Sequence, residues 1–176
     1  MTRIRGTTTS PAAHDRRRFL ALCGTAALGA LAWRLAGAGS EPAAAATPPT
    51  FTLTDAEWRK RLSPGAYAVL RQASTERPYS SPLNDEHRKG GFVCAGCALP
   101  LFSSTTKFDS GTGWPSFYAP LPRAVATRTD RELLMARTEV HCARCAGHLG
   151  HVFEDGPKPT GLRYCMNGVA MRFLGS

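Results

Sequence analysis

No apolar run in this chain approaches the roughly 20 residues that a membrane span needs. The candidate, LALCGTAALGALA, is broken at Trp33-Arg34. Basic charge is not concentrated either. Of a net charge of +9, the first 46 residues carry +4, from six arginines and no lysine against Asp15 and Glu41, which leaves the rest a mild +5. Nucleic-acid binding requires cations clustered on one face, so this spread argues against it. No internal repeat is evident beyond two short cysteine motifs, and outside the N-terminal apolar run, which holds Cys23, a single cysteine, Cys165, stands apart from the pairs.

What is present begins with Arg16-Arg17-Arg18-Phe19-Leu20 and the apolar run behind it, which read as a twin-arginine export signal. Small residues at Ala36-Gly37-Ala38 and within Ala43 to Ala46 offer cleavage sites; an uncleaved membrane anchor is the alternative. Cys23 follows Leu22, where lipidation would require a small residue, so it counts as a small hydrophobe. Residues 1–46 are therefore assigned to the signal and the start of a Pro/Ala linker, and residues 47–176 to one domain. The mature protein is expected to be exported, in the periplasm, and to meet the membrane only during export.

Thr54-Asp55-Ala56-Glu57 has the spacing of a capping box and predicts a helix to about Arg61. Ser63-Pro64 predicts a second, running through AYAVLRQA. From Gly90 onward short apolar runs alternate with glycines and prolines. The pattern predicts strands at Gly91–Cys94, Pro100–Ser103, Ala124–Thr129, Glu132–Thr138, His151–Glu154, Arg163–Asn167 and Ala170–Phe173. The fold class is mainly β: antiparallel strands behind two short N-terminal helices.

Cys94-Ala-Gly-Cys97 and Cys142-Ala-Arg-Cys145 are metal knuckles by spacing, and together supply four thiolates for one tetrahedral Zn²⁺. With a long insert between them, the metal would clamp distant parts of a small β body, turning binding energy into folding energy. Disulfides, which an oxidising compartment favours, and a redox-active CxxC are the rival readings.

Setting aside the knuckles and Cys23, Cys165 is the candidate nucleophile. On a strand, Arg163, Cys165 and Asn167 share a face, so the thiol has a cation beside it to raise its thiolate fraction. His148-Leu149-Gly150-His151 adds two imidazoles at what reads as a glycine turn, able to move protons near neutral pH.

Three blocks, GWPSF at Gly113–Phe117, HLGHVFEDGP at His148–Pro157 and GLRYCMN at Gly161–Asn167, together with the knuckles, closely resemble the methionine-R-sulfoxide reductases over about residues 51 to 174. The resemblance implies two antiparallel sheets in a small barrel-like body, one structural zinc, and thiol-dependent reduction of the R epimer of methionine sulfoxide in oxidised proteins. It implies repair after oxidative stress by a monomer that a thioredoxin-like or other thiol reductant recycles. By position Cys165 is the nucleophile that becomes a sulfenic acid. His148, His151 and Asn167 bind and protonate the sulfoxide oxygen, Arg163 lies near the thiolate, and Trp114 receives the substrate methyl; Phe117 reads as core.

Two departures stand out. Many members carry a resolving cysteine where this chain has Thr112, so an external thiol is expected to reach Cys165 directly. Gly168 replaces a serine, removing a hydroxyl near the site. A zinc-ribbon interaction module without catalysis and a thiol peroxidase are the competing readings.

Overall fold

The computed structural model describes residues 49–131 and 136–176. The export signal and Cys23 lie outside the described residues, as do positions 132–135 of the expected strand Glu132–Thr138. Two helices come first, α1 (Asp55–Arg61) and α2 (Pro64–Gln72). Both start on the caps that the sequence offers. Thr54 and Glu57 close a reciprocal capping box, and the Ser63 hydroxyl accepts from the Ala66 N–H, satisfying donors that a first turn otherwise leaves open. No helix of the described residues is long and apolar enough to cross a membrane.

The strands are β1 (Gly90–Cys94), β2 (Pro100–Ser103), β3 (Lys107–Phe108), β4 (Ser116–Phe117), β5 (Val125–Asp130), β6 (Arg137–Cys142), β7 (His148–Phe153), β8 (Arg163–Met166) and β9 (Met171–Gly175). They form two antiparallel sheets, ordered β2-β1-β9 and β3-β4-β8-β7-β6-β5. Phe92 and Phe102 from the first sheet meet Phe117 from the second, and all three are fully buried. Phe102 stacks on Phe117 at 4.3 Å and Phe92 meets it edge-on at 4.9 Å. Such ring pairs add about 0.5–1.5 kcal/mol each beyond their burial. Phe117 is thus core, as expected.

Two of the expected strands differ from the sequence expectation by more than two residues, and β3 and β4 have no counterpart in it. The strand before the second knuckle runs Arg137–Cys142, later than expected, because Glu139 and Val140 are buried side by side and the alternation that marks a half-buried strand fails there. The next strand starts at His148 rather than His151. Gly150 is no turn: it pairs with Met166, and a Cβ on it would lie 2.1 Å from the Cys165 carbonyl oxygen. The glycine is there because β8 passes too close for a side chain. The two-residue strands β3 and β4 are too short to show any period.

Candidate active site and metal centre

Each knuckle follows directly from a strand. Cys94 ends β1 and Cys142 ends β6, and each turn closes on a left-handed alanine, Ala98 (φ 60°) and Ala146 (φ 54°). The Ala98 N–H bonds the Cys94 carbonyl and the Ala146 N–H the Cys142 carbonyl, both at 2.9 Å. All four cysteines are buried and unbonded to one another, with sulfurs within 4.8 Å. The Cys97–Cys142 and Cys94–Cys145 pairs stand at 3.5 and 3.7 Å. Sulfurs about 2.3 Å from a shared tetrahedral centre stand about 3.8 Å apart, so this donor set fits a zinc ion and not disulfides.

The helices seal this cluster. A Cβ on Gly96 would lie 3.2 Å from the Trp58 ring of α1, and one on Gly147 would lie 2.7 Å from Leu70 of α2. Arg61 Nε donates to the Gly96 carbonyl at 2.5 Å and Arg71 Nη1 to the Cys145 carbonyl at 3.1 Å. Cys94 and Cys142 lie on different sheets, so a metal here staples the two together.

Cys165 sits mid-β8, between Ser116 of β4 and His151 of β7, its register partners on either side. It lines a cavity of about 130 Å³ with Thr75, Trp114, Arg137, Gly150, His151, Phe153 and Asn167. Burial pushes the Cys165 thiol up; hydrogen bonding by Thr112 and the charge of Arg163 pull the other way. Arg163 itself is held in a bidentate pair with Asp155, at 2.9 and 2.8 Å, and lies 4.5 Å over the Phe153 ring.

Three residues apart on a regular strand, His148 and His151 would face opposite ways. They do not, because β7 carries a bulge. Val140 pairs with Gly150 but His141 with His148, so Leu149 is an extra residue, and it returns His148 to the side of His151. The two rings lie 5.4 Å apart. Only His151 reaches the Cys165 cavity. His148 lines an adjoining polar cavity of about 190 Å³ that shares His151, Thr75 and Arg137 with it.

Acidic residues that the sequence reading missed hold both imidazoles. His151 Nε2 pairs with Asp130 Oδ2 at 2.8 Å, and Arg137 Nη2 donates to the same oxygen at 2.6 Å. His148 Nδ1 pairs with Glu139 Oε1 at 2.8 Å, and Glu139 also pairs with Arg128. Burial pushes the Glu139 carboxyl up, but Arg128 and His148 outweigh it and hold the carboxylate below its ordinary range. Burial also holds His151 below its ordinary 6.5, against the pull of Asp130. On sequence, Asp130 and Glu139 fall one residue past the expected strands and carry no signal; the pairing across β5, β6 and β7 reveals them.

Asn167 falls just past β8 rather than on it. Its Oδ1 accepts from the Glu76 N–H at 2.9 Å and its Nδ2 donates to the Leu149 carbonyl at 3.1 Å. One amide proton remains for the cavity that Asn167 lines. Glu76 ties the site together from outside the sheets. Its carbonyl accepts from Trp114 Nε1 at 3.2 Å, and its carboxylate accepts the N–H groups of Gly168 and Val169.

The SelR domain family matches residues 62–175. Several relatives bear the name peptide methionine sulfoxide reductase MsrB. One from Thiobacillus denitrificans is 56% identical over 121 residues, 68% of this chain and 92% of its own length. Another, from Agrobacterium fabrum, is 52% identical over 128 residues, 72% of this chain and 95% of its own. A third, from Leptospira interrogans, is 50% identical over 121 residues, 68% and 92%.

The chain belongs to the B-type peptide methionine sulfoxide reductases.

Within that family the two departures now have a physical setting. Thr112 places its hydroxyl 3.8 Å from Cys165 Sγ, so the position of the absent resolving cysteine is next to the candidate nucleophile. At Gly168 a Cβ would lie 2.0 Å from Ser81 Oγ and 2.4 Å from Ser81 Cβ. Ser81, buried, fills the space that a side chain at 168 would take, and supplies a hydroxyl there.

Proposed function

We propose that this reductase acts on the R epimer of methionine sulfoxide in proteins, with Cys165 as nucleophile and a zinc ion in the four-cysteine cluster as a structural clamp. One observation carries the reading: Cys165 lines a cavity with apolar walls from Trp114 and Phe153 and polar groups from His151 and Asn167. That volume admits the methylsulfinyl end of one side chain. The methyl rests against the aromatic rings, which leaves the sulfoxide oxygen toward His151 and Asn167. The choice of epimer follows the resemblance to the methionine-R-sulfoxide reductases.

The Cys165 thiolate attacks the sulfoxide sulfur while His151, directly or through a water, gives a proton to the oxygen. Thiolate, sulfoxide and one proton become thioether and cysteine sulfenic acid; the sulfoxide sulfur gains two electrons and Cys165 loses them. Two equivalents of an external thiol then restore Cys165, the first releasing water and forming a mixed disulfide, the second displacing Cys165. His148 positions His151 from behind. Arg163 holds positive potential at the thiolate. A bound zinc supplies rigidity to the knuckles and takes no part in the transfer. The active unit is a monomer.

The test compares R and S sulfoxides of a methionyl peptide with dithiothreitol as reductant. The R epimer should turn over and the S epimer should not, and Cys165→Ser should abolish turnover while the fold and metal content stay intact. Retained turnover in Cys165→Ser would overturn the reading, as would failure to turn over any sulfoxide, which a zinc-ribbon module predicts.

The twin-arginine sequence supports export of a folded, metal-loaded chain to the periplasm and recycling there by a thioredoxin-like or other thiol donor. Replacing Arg16 and Arg17 by lysine should hold the precursor inside the cell; unchanged export would remove this part of the proposal.

A further inference from the structure

One side of Cys165 is not cavity. The loop between β3 and β4 and the first residue of β4 lay three linked hydroxyls on it. Thr112 Oγ1 is 3.8 Å from Cys165 Sγ, Ser110 Oγ is 2.8 Å from Thr112 Oγ1, and Ser116 Oγ is 2.7 Å from Ser110 Oγ and 3.1 Å from the Trp114 carbonyl. Ser116 is fully buried. The loop is pinned at its tip: the Tyr79 hydroxyl donates to the Gly111 carbonyl and the Tyr79 N–H to the Gly113 carbonyl, both at 2.7 Å. Gly113, at φ 89°, leaves no room for a Cβ against Pro78 and Tyr79.

Each hydroxyl has one proton to donate, and that count fixes the order of the chain. Of the three hydroxyls, Ser116 alone reaches the Trp114 carbonyl. While it donates there, Ser110 must donate to Ser116 and Thr112 to Ser110. Thr112 Oγ1 is then left as an acceptor, which suits a Cys165 thiol. A thiolate has nothing to donate, and each hydroxyl has only to rotate for the order to run the other way: Ser116 to Ser110, Ser110 to Thr112, Thr112 to sulfur. We propose that Ser110, Thr112 and Ser116 form a reversible hydroxyl chain whose direction follows the ionisation of Cys165, so that Ser110, which is not bonded to the sulfur, helps to stabilise its thiolate alongside the hydroxyls of Thr112 and Ser116 that reach it. Thr112, at the place of a resolving cysteine, and Ser116 are contacts of the sulfur; Ser110, which links them, is the positioning residue.

The other groups that face Cys165 do not duplicate this. Arg163 on its own strand pairs with Asp155 and also favours the thiolate, but it lies outside the hydroxyl chain and is unchanged in the variants below; His151 on β7 is occupied by Asp130, and Arg137 of β6 across the cavity also binds Asp130. β4 presents no charged group, only Ser116. Charge-assisted hydrogen bonds are about twice as strong as neutral ones, and chains of them polarise one another, so an interruption in the middle should be felt at the sulfur. The proton lost on ionisation goes to solvent; the chain conducts none.

This inference rests on Cys165 being the reacting thiol but is tested without turnover. The rate of iodoacetamide alkylation of Cys165 in the full chain is followed against pH by mass spectrometry of its peptide. At pH 7 the rate should fall about tenfold in Thr112→Val and about threefold in Ser110→Ala and Ser116→Ala, with matching rises in apparent pKa, whereas Thr112→Ser should react within about twofold of the parent. A normal profile in Thr112→Val overturns the proposal. A shift in Thr112→Val with none in Ser110→Ala also overturns it, because a lone hydrogen bond then explains the effect. Should Ser116→Ala fail to fold, the two loop variants decide. Cys165→Ser activity, measured separately, tells failure of the chain from failure of the nucleophile.

Discussion

The two knuckle hairpins, β1–β2 and β6–β7, are built alike. In each the first strand ends on a cysteine whose N–H bonds, at 2.9 Å, the carbonyl two residues beyond the knuckle, Leu99 in one and Gly147 in the other. A left-handed alanine closes the turn in each. A bulge breaks the register just before the first cysteine, at Phe92/Val93 and at Val140/His141, and its extra residue is a fully buried leucine, Leu101 or Leu149. What differs is what the matching positions carry. Pro100 stands where the other hairpin has His148, Phe102 where it has Gly150, Ser103 where it has His151, and Gly91 where it has Glu139. Phe102 turns into the aromatic core; Gly150 lets the Cys165 backbone come close. A bulged hairpin that ends in a cysteine knuckle is thus a shared platform, and a few exchanged side chains decide whether it faces the core or the candidate site.

The most severe way to break the comparison is to remove the metal. Because each hairpin offers two of the four clustered cysteines to the proposed zinc, Cys94→Ser in the core hairpin and Cys142→Ser in the other should be equally damaging. Either should release zinc and remove most of the domain's stability, which for a chain of this size is about 5–15 kcal/mol. Elemental analysis with thermal unfolding checks this. A variant that loses its metal yet melts normally would end the structural role, and a large difference between the two would end the equivalence.

The next test separates the platforms. Proton donation by a positioned side chain is worth about 10²- to 10⁴-fold, so His151→Ala should lower kcat/KM within that range. Ser103→Ala, at the matching place, removes only the hydroxyl that accepts from the Thr105 N–H. It should cost about 1 kcal/mol of stability and leave turnover within about twofold. Equal kinetic effects at the two positions would mean that His151 serves the scaffold rather than the reaction.

The likeness of the hairpins was only partly legible in the sequence. The CxxC pairs announce themselves, and the strand cysteine flanked by Arg163 and Asn167 marks a site. The helix caps at Thr54 and Ser63 are equally plain, since capping depends on residues close in sequence. What escapes is set by tertiary pairing. Ala98 and Ala146 take a backbone conformation that glycine or asparagine would advertise. The bulge at Leu149 cannot be seen until β6 and β7 are paired, so His148 and His151 read as neighbours at a turn when they are brought together within a strand. Asp130, Glu139 and Glu76 hold His151, His148 and Asn167 from distant segments, and Ser81 fills the gap at Gly168. None of these contacts leaves a local pattern.

The smallest expected effect is a flat one, and it sharpens the contrast between His151 and Ser103. Burial holds Cys165 above its ordinary 9.0 and His151 below its ordinary 6.5, so near neutrality the free protein carries a thiol and a neutral imidazole. The fold therefore favours neutral His151: its contribution to stability is complete above 6.5 and declines as the pH falls through its lowered pKa. The proposed mechanism needs the opposite pair, thiolate with imidazolium. Between the two pKa values, each step up in pH gains thiolate and loses imidazolium by the same factor, so the reactive fraction stays constant. kcat/KM should vary by less than about twofold from about pH 7 to about pH 8.5, falling only outside the two pKa values. In His151→Ala just the thiolate titrates, and kcat/KM should climb about tenfold per pH unit across the same range. Ser103→Ala should keep the plateau. A sloping profile in the parent protein, or a plateau that survives the loss of His151, would show that the proton comes from elsewhere.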